Sequence, residues 1–360
     1  MQQTAPAGGE TPLLNTSTRL DARGLLERAR AGAAHAPLSP LSGTTHVLIE
    51  LGPDTRPAAA DPAALAAWLR AQACPVIGIA AAGEGHALAA FCDAVVARAD
   101  DAAELVANIE AAPITAMVLV QLLRASEGLE VPRALICESL AYATLQAGGE
   151  FRRWLAQAPP PGHAQAAEAG APVLIERHGA QLQLRLNRPA RRNALSIEMR
   201  DALVEALELV ALDASITQVV ISGEGRCFCA GGDLAEFGSA PDPATGHAVR
   251  STRSVPQLLA RCAPRLRFHV HGAAVGAGME MAAFGAYVEA TPETFFHLPE
   301  IRFGLIPGSG GCVSIARRIG RLRTGFLALS ARRLDARTAQ AWGLVDTLVE
   351  PASQPQSAQA

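Results

Sequence analysis

The chain has 360 residues, of which 49% are hydrophobic, enough to bury a sizeable core as two domains or one large one. Its formal net charge of -3 gives no strong pull toward nucleic acid or an anionic membrane, and every one of its basic Lys/Arg positions is arginine. The seven cysteines, Cys74, Cys92, Cys137, Cys227, Cys229, Cys262 and Cys312, are odd in number and scattered. That pattern suits reduced thiols better than a disulfide framework, and it contains no metal-binding spacing. No basic region followed by an apolar core opens the chain, and no apolar run reaches the roughly 18 residues of a membrane span. The expectation is a soluble cytoplasmic protein with no nucleic-acid, membrane or metal partner.

In chain order, residues 1–43 are polar and rich in Ala, Gly and Pro, and read as a flexible arm with one short helical stretch at Leu25–Arg30. An N-terminal block follows over 44–157. Val47–Leu51, Val76–Ala80 and Ala94–Ala97 are short apolar runs of strand type. Gly83-Glu84-Gly85 after the second of them hints at a dinucleotide turn but lacks the third glycine and a convincing ribose-binding acid, so that reading is rejected. From Glu104 to Gln157 the pattern is helical: Leu105 and Ile109, the run Met117–Leu123, then Ile136, Leu140, Ala143 and Ala147 at helical spacing, then Phe151, Trp154 and Leu155. These apolar faces require a partner. Pro159-Pro160-Pro161-Gly162 opens a linker over 158–171, and 351–360 reads as a frayed tail.

Residues 172–350 form the second block. Val173–Arg177 and Gln181–Leu186 predict a hairpin, with Leu182, Leu184 and Leu186 alternating with polar residues. Ser196 is placed to cap a helix that carries Leu203, Leu207 and Val210 on one face, and Gln218–Ser222 is a short apolar strand. Gly-rich turns at Gly223–Asp233 and Gly272–Gly278 each follow a strand-like run and precede a helical one. Alternating strands and helices predict an α/β fold.

Six segments then carry a resemblance: Arg188-Pro-Ala-Arg-Arg-Asn193-Ala-Leu195, Cys227-Phe-Cys-Ala-Gly-Gly232-Asp233-Leu234, His271-Gly-Ala-Ala-Val-Gly276-Ala277-Gly278-Met-Glu280, Leu298-Pro-Glu300-Ile301, Gly304-Leu-Ile-Pro-Gly308-Ser-Gly-Gly311 and Trp342-Gly-Leu-Val-Asp346. In this order they resemble the motif series of the enoyl-CoA hydratase/isomerase (crotonase) family, over about residues 173–349. The resemblance implies a crotonase-like catalytic block of repeated ββα superhelix, preceded by the helix-rich α/β block. It also implies an acyl-CoA substrate with coenzyme A as part of the thioester, no bound cofactor, and assembly as a trimer or hexamer. The favoured reaction is hydration of a 2-enoyl-CoA to a 3-hydroxyacyl-CoA; the alternatives are a 3-enoyl to 2-enoyl isomerase or a non-catalytic assembly module.

Either reaction passes through negative charge on the thioester oxygen, which needs backbone donors set in place beforehand. By resemblance these are the N–H groups of Gly232 and Ala277. Glu280 and Glu300, 20 positions apart, match the two acid/base glutamates of family hydratases. Hydration needs one carboxyl to deprotonate water and another to deliver a proton to the neighbouring carbon. Isomerisation works with one. The resemblance further assigns substrate or CoA contacts to Arg188, Arg191, Arg192, Ala194, Ala230, Asp233, Leu234, Gly276 and Gly308. His269 and His271 alternate on a strand without a third metal ligand and read as ordinary strand histidines. Cys227 and Cys229 read as turn packing, and the arginines from Arg317 to Arg337 mostly as a solvated helix face.

The family usually continues past the Gly-Leu-Val-Asp segment with helices that close the core. Here few residues remain after Asp346. The stretch from about 111 to 155 resembles those helices, and Phe91-Cys92-Asp93 resembles the family's Cys-Asp strand entry, which the second block lacks. The expectation is that the N-terminal block is a shortened, catalytically empty crotonase-like repeat whose helices supply the missing cover; the alternative is an unrelated helical domain joined by a flexible linker.

Overall fold

A computed structural model describes residues 16–21, 24, 27–29, 37–52, 62–81, 85–158 and 170–350. The expected tail and nearly all of the arm's first half, the interior of the 158–171 linker and part of the rejected glycine turn lie outside them. The chain divides into two compact units, Met1–Val106 and Ala107–Ala360.

The first unit holds a four-stranded, wholly parallel sheet in the order β1 (Thr16–Leu20), β2 (Thr44–Glu50), β3 (Val76–Ile79), β4 (Ala94–Val96), with helix α1 at Pro62–Ala71 between β2 and β3. Val47, Ile49, Val76 and Ile77 are fully buried, the apolar character expected of parallel strands covered on both faces. Asp93 at the entry to β4 accepts the Val76 N–H at 2.8 Å, which ties the loop before β4 to the start of β3.

Helix α2 (Ala103–Ala111) crosses the division. The second unit continues with α3 (Pro113–Ser126), α4 (Val131–Gln146) and α5 (Gly149–Gln157). Proline sits in the first turn of both α3 and α4, where its missing N–H costs nothing, and Pro113 separates α3 from α2. The Glu150 carboxylate accepts from the Ile114 and Thr115 N–H groups at 2.9 and 2.8 Å, so α5 caps α3. Then come β5 (Val173–His178), β6 (Gln181–Leu186), α6 (Ile197–Leu212), β7 (Gln218–Gly223), α7 (Pro243–Thr252), α8 (Val255–Cys262), β8 (Leu266–Val270), β9 (Ala273–Val275), α9 (Ala277–Ala282), β10 (Tyr287–Ala290), β11 (Phe295–His297), α10 (Gly311–Ile319), α11 (Arg321–Ser330), β12 (Leu334–Asp335), α12 (Ala336–Trp342) and β13 (Thr347–Leu348). The larger sheet runs β13-β10-β8-β7-β6-β5, antiparallel only at the β5–β6 hairpin; the smaller runs β12-β11-β9.

The predicted local features of the second block are present. Leu182, Leu184 and Leu186 are buried along β6, Ser196 accepts the Met199 N–H at the start of α6, and Leu203, Leu207 and Val210 face the core. Each such side chain contributes roughly 1.5–3 kcal/mol by leaving water.

The division at Val106/Ala107 differs from the expected boundary at the linker. Helices 113–157 pack with the later elements: α3 against α10 and α11, α4 against α7, α8 and α10, and α5 against the turn Glu300–Phe303. Their orientation also departs from expectation. Ile136 and Leu140 in α4 are 44% and 50% exposed, whereas Glu138 and Ser139 are buried. The apolar stripe is therefore turned away from the core, with Ile136 on the wall of the cavity described below, and the Glu138 carboxylate takes the inner position: its oxygens accept from the N–H groups of Gly310 and Cys312 at 2.7 and 2.9 Å. Among the described residues no single helix is long and apolar enough to cross a membrane.

Candidate active site

The two Gly-rich turns meet. Cys229 and Ala274 form a parallel bridge, with Cys229 N–H donating to the Ala273 carbonyl at 3.1 Å and Val275 N–H to the Cys229 carbonyl at 3.0 Å. Gly276 ends β9 with φ 47°, and a Cβ there would lie 2.5 Å from Oε1 of Glu300 and 3.7 Å from the Gly231 Cα. Only glycine satisfies both the backbone angle and the close approach. Beyond each turn stands a backbone N–H with no acceptor among the described residues: that of Gly232, and that of Ala277, the first residue of α9 and outside its internal hydrogen-bond ladder.

Gly232 and Ala277 both line a cavity of about 470 Å³ together with Glu280, Glu300, Asp233, Gly308 and Ser309. Glu280 projects from α9 and is buried; its Oε2 accepts from the Ser309 and Gly311 N–H groups at 2.7 and 2.8 Å. Burial raises its pKa to about 7, against the opposing pull of these two donors. Glu300 opens the turn after β11. As a residue it is half-buried and opens on the cavity, but its Oε2 is enclosed and receives no hydrogen bond from the described residues. Burial, then the nearby Glu280 charge, hold its carboxyl well above the ordinary range. Burial pushes both carboxyls toward the protonated form, and they differ in that two backbone donors oppose the shift at Glu280 whereas the Glu280 charge adds to it at Glu300.

Behind Glu300, Trp154 of α5 packs on Phe303 with ring centroids 4.9 Å apart and also meets Phe151 and Phe237 at 5.8 and 5.9 Å. This aromatic cluster backs the turn that carries the carboxyl. Behind Glu280 stands a third carboxyl, Glu138, fixed to the start of α10 and raised well above its ordinary pKa by burial and then by Glu280. Glu138, Ser139, Tyr142, Gln146 and Arg250 all line the cavity. Sequence reasoning missed them. The one available signal was a glutamate on a helix whose apolar stripe points elsewhere.

The expected CoA contacts divide. Asp233 and Gly308 line the cavity, and Arg191 reaches Asp233 at 2.9 Å. Arg188 is turned inward instead: its side chain is 9% exposed and donates to the Gly170 and Asn187 carbonyls and to Glu198, so its guanidinium is spent on local structure. Arg192 is exposed in the left-handed region at φ 54°, and its carbonyl accepts the Ala230 N–H. Ala194 donates to Arg191, while Leu234 is 52% exposed at the start of the turn Leu234–Glu236. His269 faces Glu289 at 2.7 Å and His271 lies 3.0 Å from the Gly225 carbonyl; the described residues hold no cluster of three or more metal-ligating groups.

A family model described as enoyl-CoA hydratase/isomerase matches residues 176–358. The 2,3-dehydroadipyl-CoA hydratase of Escherichia coli (strain K12) is 40% identical over 176 residues, which are 48% of this chain and 67% of that protein. The 1,2-epoxyphenylacetyl-CoA isomerase of the same organism is 35% identical over 182 residues, 49% and 70% of the two chains. The mitochondrial 3-hydroxyisobutyryl-CoA hydrolase of Danio rerio is 32% identical over 193 residues, 52% of this chain and 50% of that one. Among solved structures, an enoyl-CoA hydratase of Mycobacterium smegmatis is 32% identical with a TM-score of 0.47, covering 50% of this chain and 71% of its own.

Proposed function

Because the chain belongs to the enoyl-CoA hydratase/isomerase family, we propose that it hydrates a 2-enoyl-CoA to a 3-hydroxyacyl-CoA. Relatives of similar identity include a hydratase, an isomerase and a hydrolase, so family membership leaves the reaction open. The observation that carries the hydratase reading is the pair Glu280 and Glu300, unlike in hydrogen bonding, in one cavity with two unengaged backbone N–H groups.

In this mechanism the thioester oxygen sits between the N–H groups of Gly232 and Ala277, which stabilise the charge that develops as water adds. Glu280, held as an anion by Ser309 and Gly311, takes a proton from water while the water oxygen bonds to the β-carbon. The electron pair of the double bond passes to the thioester oxygen as an enolate. Glu300 delivers its proton to the α-carbon, the enolate collapses back to the carbonyl, and a proton exchange between the two carboxyls restores the starting state. The product gains one molecule of water. Incubation with a panel of 2-enoyl- and 3-enoyl-CoA thioesters, followed by the conjugated-thioester absorbance, tests this. Loss of absorbance with 2-enoyl substrates, abolished in Glu280→Gln, supports hydration; a Glu280→Gln variant with full hydratase activity overturns the two-carboxyl mechanism.

For the remainder of the chain, helices 107–157 act as the cover of this site, and residues 44–106 are a shortened repeat without catalytic carboxyls. Packing of α3, α4 and α5 on the elements around the cavity supports the first part, and the Cys92-Asp93 strand entry in a parallel sheet supports the second.

A further inference from the structure

Three arginines line the cavity, and their partners differ. Arg200 and Arg253 both bind Asp201, at 2.8 and 2.9 Å. Arg250, on α7, has only neutral hydrogen-bond partners among the described residues: Nε donates to Ser139 Oγ at 3.0 Å, Nη1 to Gln146 Oε1 at 3.2 Å and Nη2 to the Ser139 carbonyl at 3.4 Å. Its guanidinium also lies over the Tyr142 ring, 4.7 Å from the centroid. These contacts hold the group in place and use three of its five N–H donors, which leaves one on each terminal nitrogen for a further acceptor. A half-buried cation held only by neutral groups is an incomplete ion pair. Glu138 acts on Arg250 through space, but its two oxygens accept from the Gly310 and Cys312 N–H groups.

The position of Arg250 relative to the carboxyl pair is set by Tyr142. One face region of that ring carries Arg250, while its edge presses on Gly308, where a Cβ would lie 2.3 Å from Tyr142 Cδ2. Gly308 precedes Ser309, whose N–H holds Glu280. Tyr142 therefore links Arg250 to the segment that holds Glu280, and Arg250 lines the same cavity as both carboxyls and the Gly232 and Ala277 residues. Leu135, Ile136, Val249 and Val255 supply apolar wall for a short methylene chain.

We propose that the acyl group carries a carboxylate at its distal end and that Arg250, held by Ser139, Gln146 and Tyr142, is the residue that binds it. This rests on the acyl-CoA reading above and names its substrate class: a mono-CoA thioester of a short unsaturated dicarboxylic acid.

The test compares pairs of thioesters of equal length, about four to eight acyl carbons, one ending in carboxylate and one in methyl. With 2-enoyl-CoA pairs, wild type should favour the carboxylate member in kcat/KM by at least about tenfold, and Arg250→Gln should reduce that ratio to near one. The ratio cancels general damage to the fold. Arg250→Lys, which keeps the charge without the paired donors, should give an intermediate ratio, and it serves if the glutamine variant does not fold. Binding of the matching saturated thioesters, followed by calorimetry, separates the two proposals: a carboxylate preference lost in the variants supports the subsite even when no thioester is hydrated. Equal binding of both members by wild type, or an unchanged ratio in both variants, overturns it.

Discussion

Residues 170–350 and helices 113–157 share one compact unit and one cavity, but they contribute in opposite ways. The first region acts through its backbone and two glutamates: glycine turns bring the Gly232 and Ala277 N–H groups and Glu300 together, and every part belongs to a recognisable segment. The second region acts through side chains on ordinary helices, with Glu138 anchoring the start of α10, Trp154 backing the Glu300 turn and Tyr142 contacting Gly308. In the proposed mechanism the chemistry falls to one region and the rigidity that makes it precise comes from both. A site of this kind has a reacting layer that tolerates almost no change and a supporting layer whose members can be varied by degrees.

The largest expected effect breaks the partnership outright. Expressed alone, residues 170–360 should be aggregating or molten, since α10 and α11 lose the faces that α3 and α4 cover. Adding residues 44–157 as a separate chain should restore solubility, measured by size exclusion and thermal melting; a soluble, cooperatively melting and active 170–360 fragment would show that the helices are dispensable. Next in size is Ala277→Pro, which removes one N–H from the site. Turnover should fall about a hundredfold to a thousandfold, provided circular dichroism and melting stay near wild type. Unchanged turnover in the folded variant excludes Ala277 as a donor.

Glu300→Gln should lower turnover by about a hundredfold or more while thioester binding remains, since the amide keeps the shape but cannot pass the proton. In the supporting layer, Glu138→Gln replaces one acceptor by a donor aimed at backbone N–H groups. The expected cost is about 2 kcal/mol, with a melting temperature lower by roughly 4–8 °C and a turnover loss of only about tenfold. A loss as deep as that of Glu300→Gln would move Glu138 into the reacting layer.

The smallest effect is in pH dependence. Glu138, Glu280 and Glu300 all have raised pKa values in the fold, by burial first. Each binds more protons folded than unfolded between the ordinary carboxyl value of 4.5 and its folded value, about 7 for Glu280. Their contribution to stability is complete below 4.5 and disappears as pH rises through the folded value. Stability should therefore decline over this window, and Glu280→Gln should flatten the decline in a series of denaturant titrations. An equally steep decline in the variant would assign it to other groups.

Legibility in the sequence followed the same line. Glycine turns, the Ser196 cap and the alternating leucines of β6 are local, and each was readable because its physical cause lies within a few residues. Glu280 and Glu300 were readable as a pair because flanking segments fixed their setting. The outward face of α4 was not, since Ile136 and Leu140 outweigh Glu138 in any count of apolar residues, and the partners that draw Glu138 inward lie 172 and 174 positions away. Arg188 failed for a similar reason: its carbonyl partners and Glu198 compete successfully for a guanidinium that looked available.

That same separation between Glu138 and Gly310 bears on how the protein is made. Synthesis runs from the N-terminus, so α3, α4 and α5 leave the ribosome well before α10, and the Glu138 carboxyl must wait through 172 and 174 further residues for the N–H groups that donate to it. During that interval the Glu138 carboxylate and the surfaces that will later be enclosed are open to solvent and to neighbouring chains. Contacts this distant are slow to form because a long loop must close before they return any free energy. The yield of active protein should accordingly be sensitive to translation rate and to chaperone capacity, even at temperatures where the finished molecule is fully stable.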